Sequence, residues 1–324
     1  MFLSKAIDLC ALYDLHRKRS QKFQYSSISN KYIGIDNIEE FYKTSSVDIQ
    51  FNMGAWDNPN YKTGKFEYES SIKSGIPCND TVTGEAFINM DEYSPNVILV
   101  HGWRMDSTNK LKNIFQQKMV DLGWNMYYFS MPYHFDREPE ASLYSGEYMI
   151  SADVERTVEA SQQAVADLRA LIHWIKENKK GPVILIGISL GGFITNLTTL
   201  VEPQIDVLVS IFYANRLSYS IWKTNPGKYI KKDLQEHGVT YEDLINHWKI
   251  TEPSQSVPVM NKDNILLISA KNDQYVHIED TDYLWAAWKK PTRYVYNGGH
   301  AGIVLNRNKI ATDTIQFIRK RIES

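Results

Sequence analysis

The sequence contains little cysteine, no long apolar run and no excess of either charge. Its two cysteines, Cys10 and Cys78, are too few for a disulfide framework, and their spacing fits no zinc site. The longest apolar stretch, residues 183–194, is about half of the roughly 20 residues that a membrane-spanning helix needs. Because 36 Lys and Arg residues face 38 Asp and Glu residues, no nucleic-acid partner is expected. These absences favour a cytoplasmic protein without a membrane span.

Apolar and aromatic residues, by contrast, are plentiful. Hydrophobic residues make up 43% of the 324-residue chain and aromatic residues 12%, which suffices for one large buried core and excludes a disordered or coiled-coil protein. No repeat and no Pro/Gly/Ser-rich linker divides the chain. We therefore predict a single catalytic-size domain with an insertion. Its parts are an N-terminal helical extension at residues 1–44, an α/β core at 45–214 and 263–324, and a helical cap at 215–262.

The N-terminal residues have the pattern of an amphipathic helix. Lys5, Asp8 and Asp14 interrupt its apolar residues, which is unlike the uninterrupted apolar region of a signal peptide. We expect its apolar face to pack on the protein itself, with a membrane or a partner subunit as the alternative. The residues predicted on that face are Phe2, Leu3, Ala6, Ile7, Cys10 and Tyr13.

Short apolar runs alternate with helical patterns from residue 97 onward, which is typical of a parallel sheet covered on both faces. The predicted strands of this region are residues 97–100, 126–130, 183–187, 207–212, 265–269 and 293–296, and the clearest helix is 154–178. Three earlier segments, 47–53, 66–72 and 81–88, have the pattern of antiparallel edge strands. The fold class is thus α/β, with a mostly parallel twisted sheet of about eight strands and helices on both faces.

The most informative motif is Gly187-Ile188-Ser189-Leu190-Gly191, which follows the apolar strand at 183–187 directly. G-x-S-x-G between a strand and a helix places the serine on a strained turn, where a side chain at either glycine would collide with neighbouring backbone. The turn also directs the amides at the start of the helix toward developing negative charge. We predict that Ser189 is a catalytic nucleophile, against the alternative of an incidental glycine-rich turn.

A serine nucleophile needs a histidine to take its proton and a carboxylate to orient that histidine. His300 lies in a glycine-rich loop just past the last predicted strand. The alternative, His277, is only four residues from Asp273, the predicted acid. Asp273 follows the strand at 265–269 and should emerge at the same sheet edge as Ser189; Asp206 should face the opposite edge. The predicted triad is Ser189, Asp273 and His300, with a solvated imidazole in a glycine turn as the alternative for His300.

These residues resemble the α/β-hydrolase superfamily over about residues 45–322. The resemblance rests on His101-Gly102-Trp103 after the first core strand, on the Ser189 turn, and on the chain order Ser189, Asp273, His300. Residues 131–147 are similar to a segment of capped esterase-like members with a prolyl-oligopeptidase-type core. The absence of an N-terminal region of β-propeller length argues against an oligopeptidase proper.

The resemblance implies an oxyanion hole formed by the backbone N–H groups of Leu190 and Trp103, with a structural role for His101. Two arginines and two tryptophans are candidates for lining the substrate pocket: Arg104, Arg137, Trp222 and Trp248. Glu147 is a further candidate for the mouth of the site. Surface charge is the alternative for the charged residues, and the core of the cap for the tryptophans.

The predicted function is hydrolysis of a carboxylic ester or thioester of small to medium size through an acyl-enzyme on Ser189. The expected partner is a small-molecule ester, and neither a metal nor an organic cofactor is required, since the P-loop, G-x-G-x-x-G and H-E-x-x-H motifs are absent. Acyl transfer, amide or peptide cleavage with the same triad, and a non-catalytic ligand-binding protein are the alternatives. The oligomeric state is left open, a homo-oligomer included.

Overall fold

The structure, a computed structural model, describes residues 8–10, 12–13, 16–17, 24–55, 60–303 and 305–323. Nine strands form one sheet in the order β1-β2-β3-β5-β4-β6-β7-β8-β9. The strands are β1 Gln50–Ala55, β2 Tyr61–Glu69, β3 Thr81–Asn89, β4 Asn96–Val100, β5 Asn125–Phe129, β6 Val183–Ile188, β7 Val207–Ile211, β8 Ile265–Ala270 and β9 Thr292–Tyr296. The fold class is confirmed, with nine strands where about eight were predicted.

Helices connect these strands. In chain order the α-helices outside the N-terminal segment are α1 Ile38–Phe41, α2 Pro77–Asp80, α3 Asn109–Asp121, α4 Val154–Asn178, α5 Leu190–Thr198, α6 Leu217–Lys223, α7 Lys228–Glu236, α8 Tyr241–Trp248, α9 Ile278–Ala287 and α10 Arg307–Ile322. Short 3₁₀ turns occur at Phe135–Arg137, Asn225–Gly227, Lys249–Thr251, Pro253–Gln255, Lys262–Asn264 and Ala301–Ile303.

The sheet changes character along its width. From β1 to β3 and across the β3–β5 contact the pairing is antiparallel, while β5, β4, β6, β7, β8 and β9 pair in parallel. All five residues of β4 are buried: Ile98 and Val100 pack into the apolar layer on one face, and Val97 and Leu99 into the layer on the other. A strand that is apolar on both sides must be covered on both sides. The first layer contains α4 and α5, and the second contains α3 and α10.

The segment between β7 and β8 carries three helices, α6, α7 and α8, in the place where a helical cap is predicted. Helix α8 packs against α4, and the Trp248 indole N–H donates to the Val154 carbonyl at 3.0 Å. Val154 begins α4, which runs back to the start of β6, so this contact lies toward the carboxyl ends of the parallel strands. The exact division into extension, core and cap stays a prediction.

The N-terminal segment differs from its prediction. Residues 8–10, 12–13 and 16–17 are helical, but Cys10 and Tyr13 are exposed, whereas Asp8 and Leu12 are buried. The predicted apolar face is therefore wrong for Cys10 and Tyr13, because a buried polar contact of Asp8 fixes the orientation. Phe2, Leu3, Ala6 and Ile7 lie outside the described residues. Among the helices that the structure describes, none is both long and apolar enough to cross a membrane.

Candidate active site

Ser189 sits on a strained turn between β6 and α5. Its backbone has φ 56° and ψ −115°, a conformation that residues other than glycine rarely adopt. A Cβ atom at Gly187 would lie 2.4 Å from the Gly191 carbonyl oxygen, and one at Gly191 would lie 2.2 Å from the Val100 carbonyl oxygen. Both flanking glycines are thus required by close backbone approach, as the motif predicts.

The structure brings Ser189, Asp273 and His300 together. His300 Nε2 lies 2.9 Å from Ser189 Oγ, and His300 Nδ1 lies 2.7 Å from Asp273 Oδ2. The other Asp273 oxygen accepts hydrogen bonds from the backbone N–H groups of Tyr275 and Val276, each at 2.8 Å. Because an ionised carboxylate can only accept, Nδ1 carries the imidazole proton and Nε2 is left to accept from the serine hydroxyl.

The surroundings of His300 favour its protonated form. Burial by itself lowers the pKa of His300, but the Asp273 carboxylate outweighs it and Asp8 adds to that effect, so the pKa is raised above its usual 6.5. The ring stacks on Tyr275 with centroids 4.7 Å apart and lies 6.1 Å from the Phe212 ring. Because His300 can accept a proton only in its neutral form, a raised pKa moves the pH range in which it serves as a base upward.

Asp8 is a site residue that the sequence reasoning missed. Its carboxylate accepts hydrogen bonds from the backbone N–H groups of Gln274, His300 and Ala301 at 3.1, 3.0 and 2.9 Å. In the sequence Asp8 interrupts an apolar pattern, which is an ordinary feature of a surface helix. The interruption was the available signal, since a buried partner nearly 300 positions away leaves no local pattern.

The predicted oxyanion-hole residues lie beside Ser189. Leu190 is the first residue of α5, so its N–H has no acceptor within the helix. Trp103 follows Gly102, at which a Cβ atom would lie 3.4 Å from the Ser189 Cβ. The Trp103 indole N–H donates to the Gly146 carbonyl at 2.8 Å and so anchors this loop. Both predicted amides are thus in chain segments adjacent to the serine.

His101 also anchors the loop that contains Gly102 and Trp103. Its ring is fully buried and bonds to two backbone groups, the Gly102 carbonyl at 2.9 Å and the Met131 N–H at 3.1 Å. The pKa of His101 is lowered to about 4, chiefly by burial and to a lesser extent by Arg137, against the opposing effect of the bond to Gly102. A neutral imidazole can donate from one nitrogen and accept at the other, as both bonds require. This placement fits a structural role.

Two of the predicted pocket residues are in the interior instead. Arg137 has no exposed surface, and its guanidinium donates to the Asp167 carboxylate at 2.9 Å and to the carbonyls of Asn79 and Ser130. Trp248 likewise has no exposed surface. The prediction that these two side chains line the pocket is wrong, because every part of them is covered by protein. For Arg137 the surface-charge alternative is wrong as well.

The other pocket candidates are partly exposed or differently placed. Arg104 lies over the Tyr144 ring, 3.7 Å from its centroid. Trp222 stacks on Tyr241 with centroids 5.7 Å apart. Arg104 and Trp222 stay pocket predictions. Glu147 is 1% exposed and accepts a hydrogen bond from the Leu143 N–H at 2.6 Å, so it stabilises its own loop.

The alternative residues Asp206 and His277, and also Asp280 in α9, have partners of their own. Asp280 is buried and pairs with Arg216 at 2.8 Å, while Asp206 pairs with Lys176 at 2.6 Å. His277 is the N-cap residue just before α9, and its Nδ1 lies 3.3 Å from the Tyr219 hydroxyl. Within the part of the chain that the structure describes, no three His, Cys, Asp or Glu side chains are grouped so that they could hold a metal ion.

Comparisons with known proteins agree with this architecture. The model of the family described as alpha/beta hydrolase domain containing 18 matches residues 106–221, a range that includes Ser189 and ends before Asp273 and His300. The chain is 64% identical over 115 residues to the uncharacterized protein YdjC of Bacillus subtilis, a match covering 36% of this chain and 99% of that protein.

Two further matches are more distant. An uncharacterized protein of Mycobacterium tuberculosis is 28% identical over 227 residues, which cover 67% of this chain and 52% of that protein. The structure of an acetyl xylan esterase from Paenibacillus sp. R4 superposes with a TM-score of 0.66 and 13% identity, covering 96% of this chain and 99% of the esterase. The chain belongs to the α/β-hydrolase superfamily.

Proposed function

We propose that the protein is a serine hydrolase that cleaves a carboxylic ester or thioester of small to medium size. The observation that carries this proposal is the unbroken hydrogen-bond chain from Ser189 Oγ through the His300 imidazole to Asp273, at 2.9 and 2.7 Å. Ser189 is a partly exposed residue, so this end of the hydrogen-bond chain is where a substrate would bind.

The proposed reaction has two halves. Ser189 Oγ attacks the acyl carbon while His300 Nε2 takes the hydroxyl proton, and the imidazolium then gives that proton to the departing alcohol or thiol. Water next attacks the acyl-enzyme with His300 as the base, which releases the acid and restores the serine. In both halves the amides of Leu190 and Trp103 stabilise the negative charge on the former carbonyl oxygen.

An acetyl ester is the first substrate to test. The acetyl xylan esterase, at 13% identity, shares the fold across nearly the whole of both chains. The rings of Phe212 and Tyr275 lie beside His300, and their bulk favours a short acyl group. A cytoplasmic location stays a prediction.

The experiment compares wild type with Ser189→Ala on p-nitrophenyl esters of graded acyl length, from acetyl to palmitoyl, together with labelling by a fluorophosphonate. We expect wild type to hydrolyse the short esters and to be labelled. Ser189→Ala should lose about 10⁶-fold in kcat and all labelling, because the triad acts as a unit. p-Nitroanilides and added alcohol acceptors separate amide cleavage and acyl transfer from ester hydrolysis.

Ser210→Ala is a matched control, since Ser210 is a buried serine in the neighbouring strand β7 whose hydroxyl donates to the Gly192 carbonyl at 3.3 Å. It should keep its activity. If Ser189→Ala retained more than about a tenth of the wild-type rate, Ser189 would not be the nucleophile. A wild-type protein that neither turns over any ester nor reacts with the probe would contradict the whole proposal.

A further inference from the structure

The N-terminal segment, meaning the described residues among 8–17, lies against the two loops that carry Asp273 and His300. Asp8 has no exposed surface, yet its neighbour Leu9 is 57% exposed and Tyr13 is 72% exposed. A carboxylate is rarely buried unless it is bonded, since desolvation is costly. The contact of Asp8 with the loops is therefore a built feature of the segment.

One carboxylate joins the two loops. Asp8 Oδ2 accepts from the N–H of Gln274, which directly follows Asp273, and from the N–H of His300 itself. Asp8 Oδ1 accepts from the N–H of Ala301. Each loop is thus held at, or one residue from, the side chain that it contributes to the triad. Hydrogen bonds to an ionised acceptor are stronger than neutral ones, so these bonds define the loop positions well.

The histidine loop is shaped to receive this carboxylate. Gly299 precedes His300, and a Cβ atom there would lie 2.5 Å from Asp8 Oδ2. Glycine thus leaves the space that the carboxylate occupies. The same glycine, with Gly298 before it, gives the free loop many backbone conformations. A loop of this kind needs an external contact to keep its histidine in one place.

The segment is also fixed at its far end. His16 Nε2 lies 3.2 Å from the Asn225 carbonyl oxygen, and the His16 ring meets the Tyr229 ring edge-on with centroids 5.1 Å apart. Asn225 and Tyr229 belong to the insertion between β7 and β8. The segment therefore runs from the triad loops to the insertion, with Leu12 buried between them.

We propose that Asp8 is a positioning residue for the reaction: it ties the backbone at Gln274, His300 and Ala301 so that the imidazole stays between Ser189 and Asp273. This inference rests on the proposed function, because it assigns Asp8 to the same triad. Asp8 acts through the loops and touches no reacting atom. Burial lowers the pKa of His300 and Asp273 raises it. The charge of Asp8 raises this pKa as well, by a smaller amount.

The test compares Asp8→Asn and Asp8→Ala with wild type and with Leu9→Ala, a control at the neighbouring exposed position. Asparagine keeps one acceptor oxygen and loses the charge, while alanine loses both acceptors. We measure kcat and KM for p-nitrophenyl acetate, the rate of fluorophosphonate labelling and the pH dependence of kcat/KM. Circular dichroism fixes a temperature at which every variant is fully folded.

We expect kcat to fall by about 10²-fold in Asp8→Ala and by less in Asp8→Asn, with KM little changed, because a misplaced base slows the chemical step. Labelling should slow in parallel. The acid limb of kcat/KM should move to lower pH in both variants, since a negative charge near His300 is lost. Leu9→Ala should match wild type in all three measurements.

Asp8 variants with wild-type kcat and an unmoved acid limb would overturn this inference while leaving the proposed function intact. A loss of kcat without any shift of the limb would also overturn it, since removing a charge held against the His300 backbone should change the pKa of that histidine. An inactive wild type, or an active Ser189→Ala, would instead overturn the proposed function.

Discussion

Two buried polar clusters of this protein differ in one respect. The triad cluster consists of Ser189, Asp273 and His300, and the arginine cluster consists of Arg137, Asp167, Ser70 and Asn79. In the arginine cluster Arg137 and Asp167 are both fully buried, 2.9 Å apart, and Ser70 donates to the second Asp167 oxygen at 2.5 Å. In the triad cluster the chain of hydrogen bonds ends at Ser189, which is partly exposed.

The difference separates structural from chemical use of buried charge. Nε, Nη1 and Nη2 of Arg137 all donate to protein acceptors, and the side chain has no exposed surface, so it cannot contact a substrate. The triad cluster has a proton acceptor, His300 Nε2, that faces the hydroxyl of the partly exposed Ser189. A buried ion pair is therefore not by itself evidence of an active site, and an open end is the better sign.

Replacing the acid of the triad gives the largest expected effect among the changes that test this contrast. In Asp273→Asn, the amide oxygen can keep the bonds from the Tyr275 and Val276 N–H groups, and the amide NH₂ then faces His300 Nδ1. Two donors cannot share that contact, so the imidazole moves its proton to Nε2 and can no longer accept from Ser189. We expect kcat to fall about 10⁴-fold with little loss of stability.

Steady-state kinetics with p-nitrophenyl acetate measures this loss. Asp206→Asn serves as the control, because Asp206 accepts from the Val183 N–H at the start of β6, at the opposite edge of the sheet. If Asp206→Asn or Asp280→Asn proved the damaging change and Asp273→Asn did not, the acid of the triad would be misassigned.

The arginine cluster should show the opposite response. Arg137→Met removes the charge that balances Asp167 and leaves the Asn79 and Ser130 carbonyls without their donors. We expect the free energy of unfolding to fall by about 3 to 5 kcal/mol, with kcat of the folded protein unchanged. Urea denaturation measures the first quantity, and kinetics at a temperature where the variant is folded measures the second.

The double variant Arg137→Met/Asp167→Asn tests the cause of that loss. Removing the stranded carboxylate charge should recover part of the stability, because an uncompensated buried charge costs more than a neutral amide. A large fall in kcat with unchanged stability in Arg137→Met would instead place the arginine cluster in the active site, and the contrast would fail.

The same contrast explains what could be predicted from the sequence. The Ser189 turn is a local pattern of strand, glycines and helix, so five consecutive residues predict its backbone. Asp273 and His300 follow predicted parallel strands, and the carboxyl ends of such strands meet at one edge. The sheet itself follows from apolar runs that are buried on both faces, such as β4 and β6.

Burial of charged residues could not be predicted in this way. Arg137 and Asp8 look like surface residues in sequence, since their burial depends on partners 30 to nearly 300 positions away. The spacing of Trp248 fits the cap whether its side chain lines the substrate pocket or lies in the core. Its hydrogen bond to the Val154 carbonyl shows that it lies in the core. In each case the missing information was contact with residues distant in the sequence.

The pH dependence of kcat/KM compares the triad histidine, His300, with two buried histidines, His101 and His134. The pKa of His300 is raised above 6.5, whereas burial lowers the pKa of His101 to about 4 and that of His134 well below its usual value. Only neutral His300 can accept the serine proton, so kcat/KM should rise with pH, tenfold per unit, through one limb with a midpoint above 6.5.

Initial rates at low p-nitrophenyl acetate give this limb directly, and fluorophosphonate labelling should reproduce its midpoint. His101 and His134 stay neutral across the range and should add no second limb. A midpoint below 6.5, or a profile that peaks below about pH 5, would contradict His300 as a base whose partners raise its pKa.

The smallest expected effect is that of replacing a tryptophan of the insertion between β7 and β8. Trp222 is partly exposed and stacks on Tyr241, whereas Trp248 is fully enclosed. If the open side chain bounds the acyl pocket, Trp222→Ala should let longer acyl groups gain the binding that they lack in wild type, about 0.8 kcal/mol or fourfold in kcat/KM per added methylene. The p-nitrophenyl ester series measures this change, and labelling by a small fluorophosphonate should be unaffected.

The control is Trp248→Ala, a change at a fully buried position, which should lower stability and leave the chain-length profile as it is. Identical profiles for Trp222→Ala and wild type would show that the insertion does not limit the acyl group.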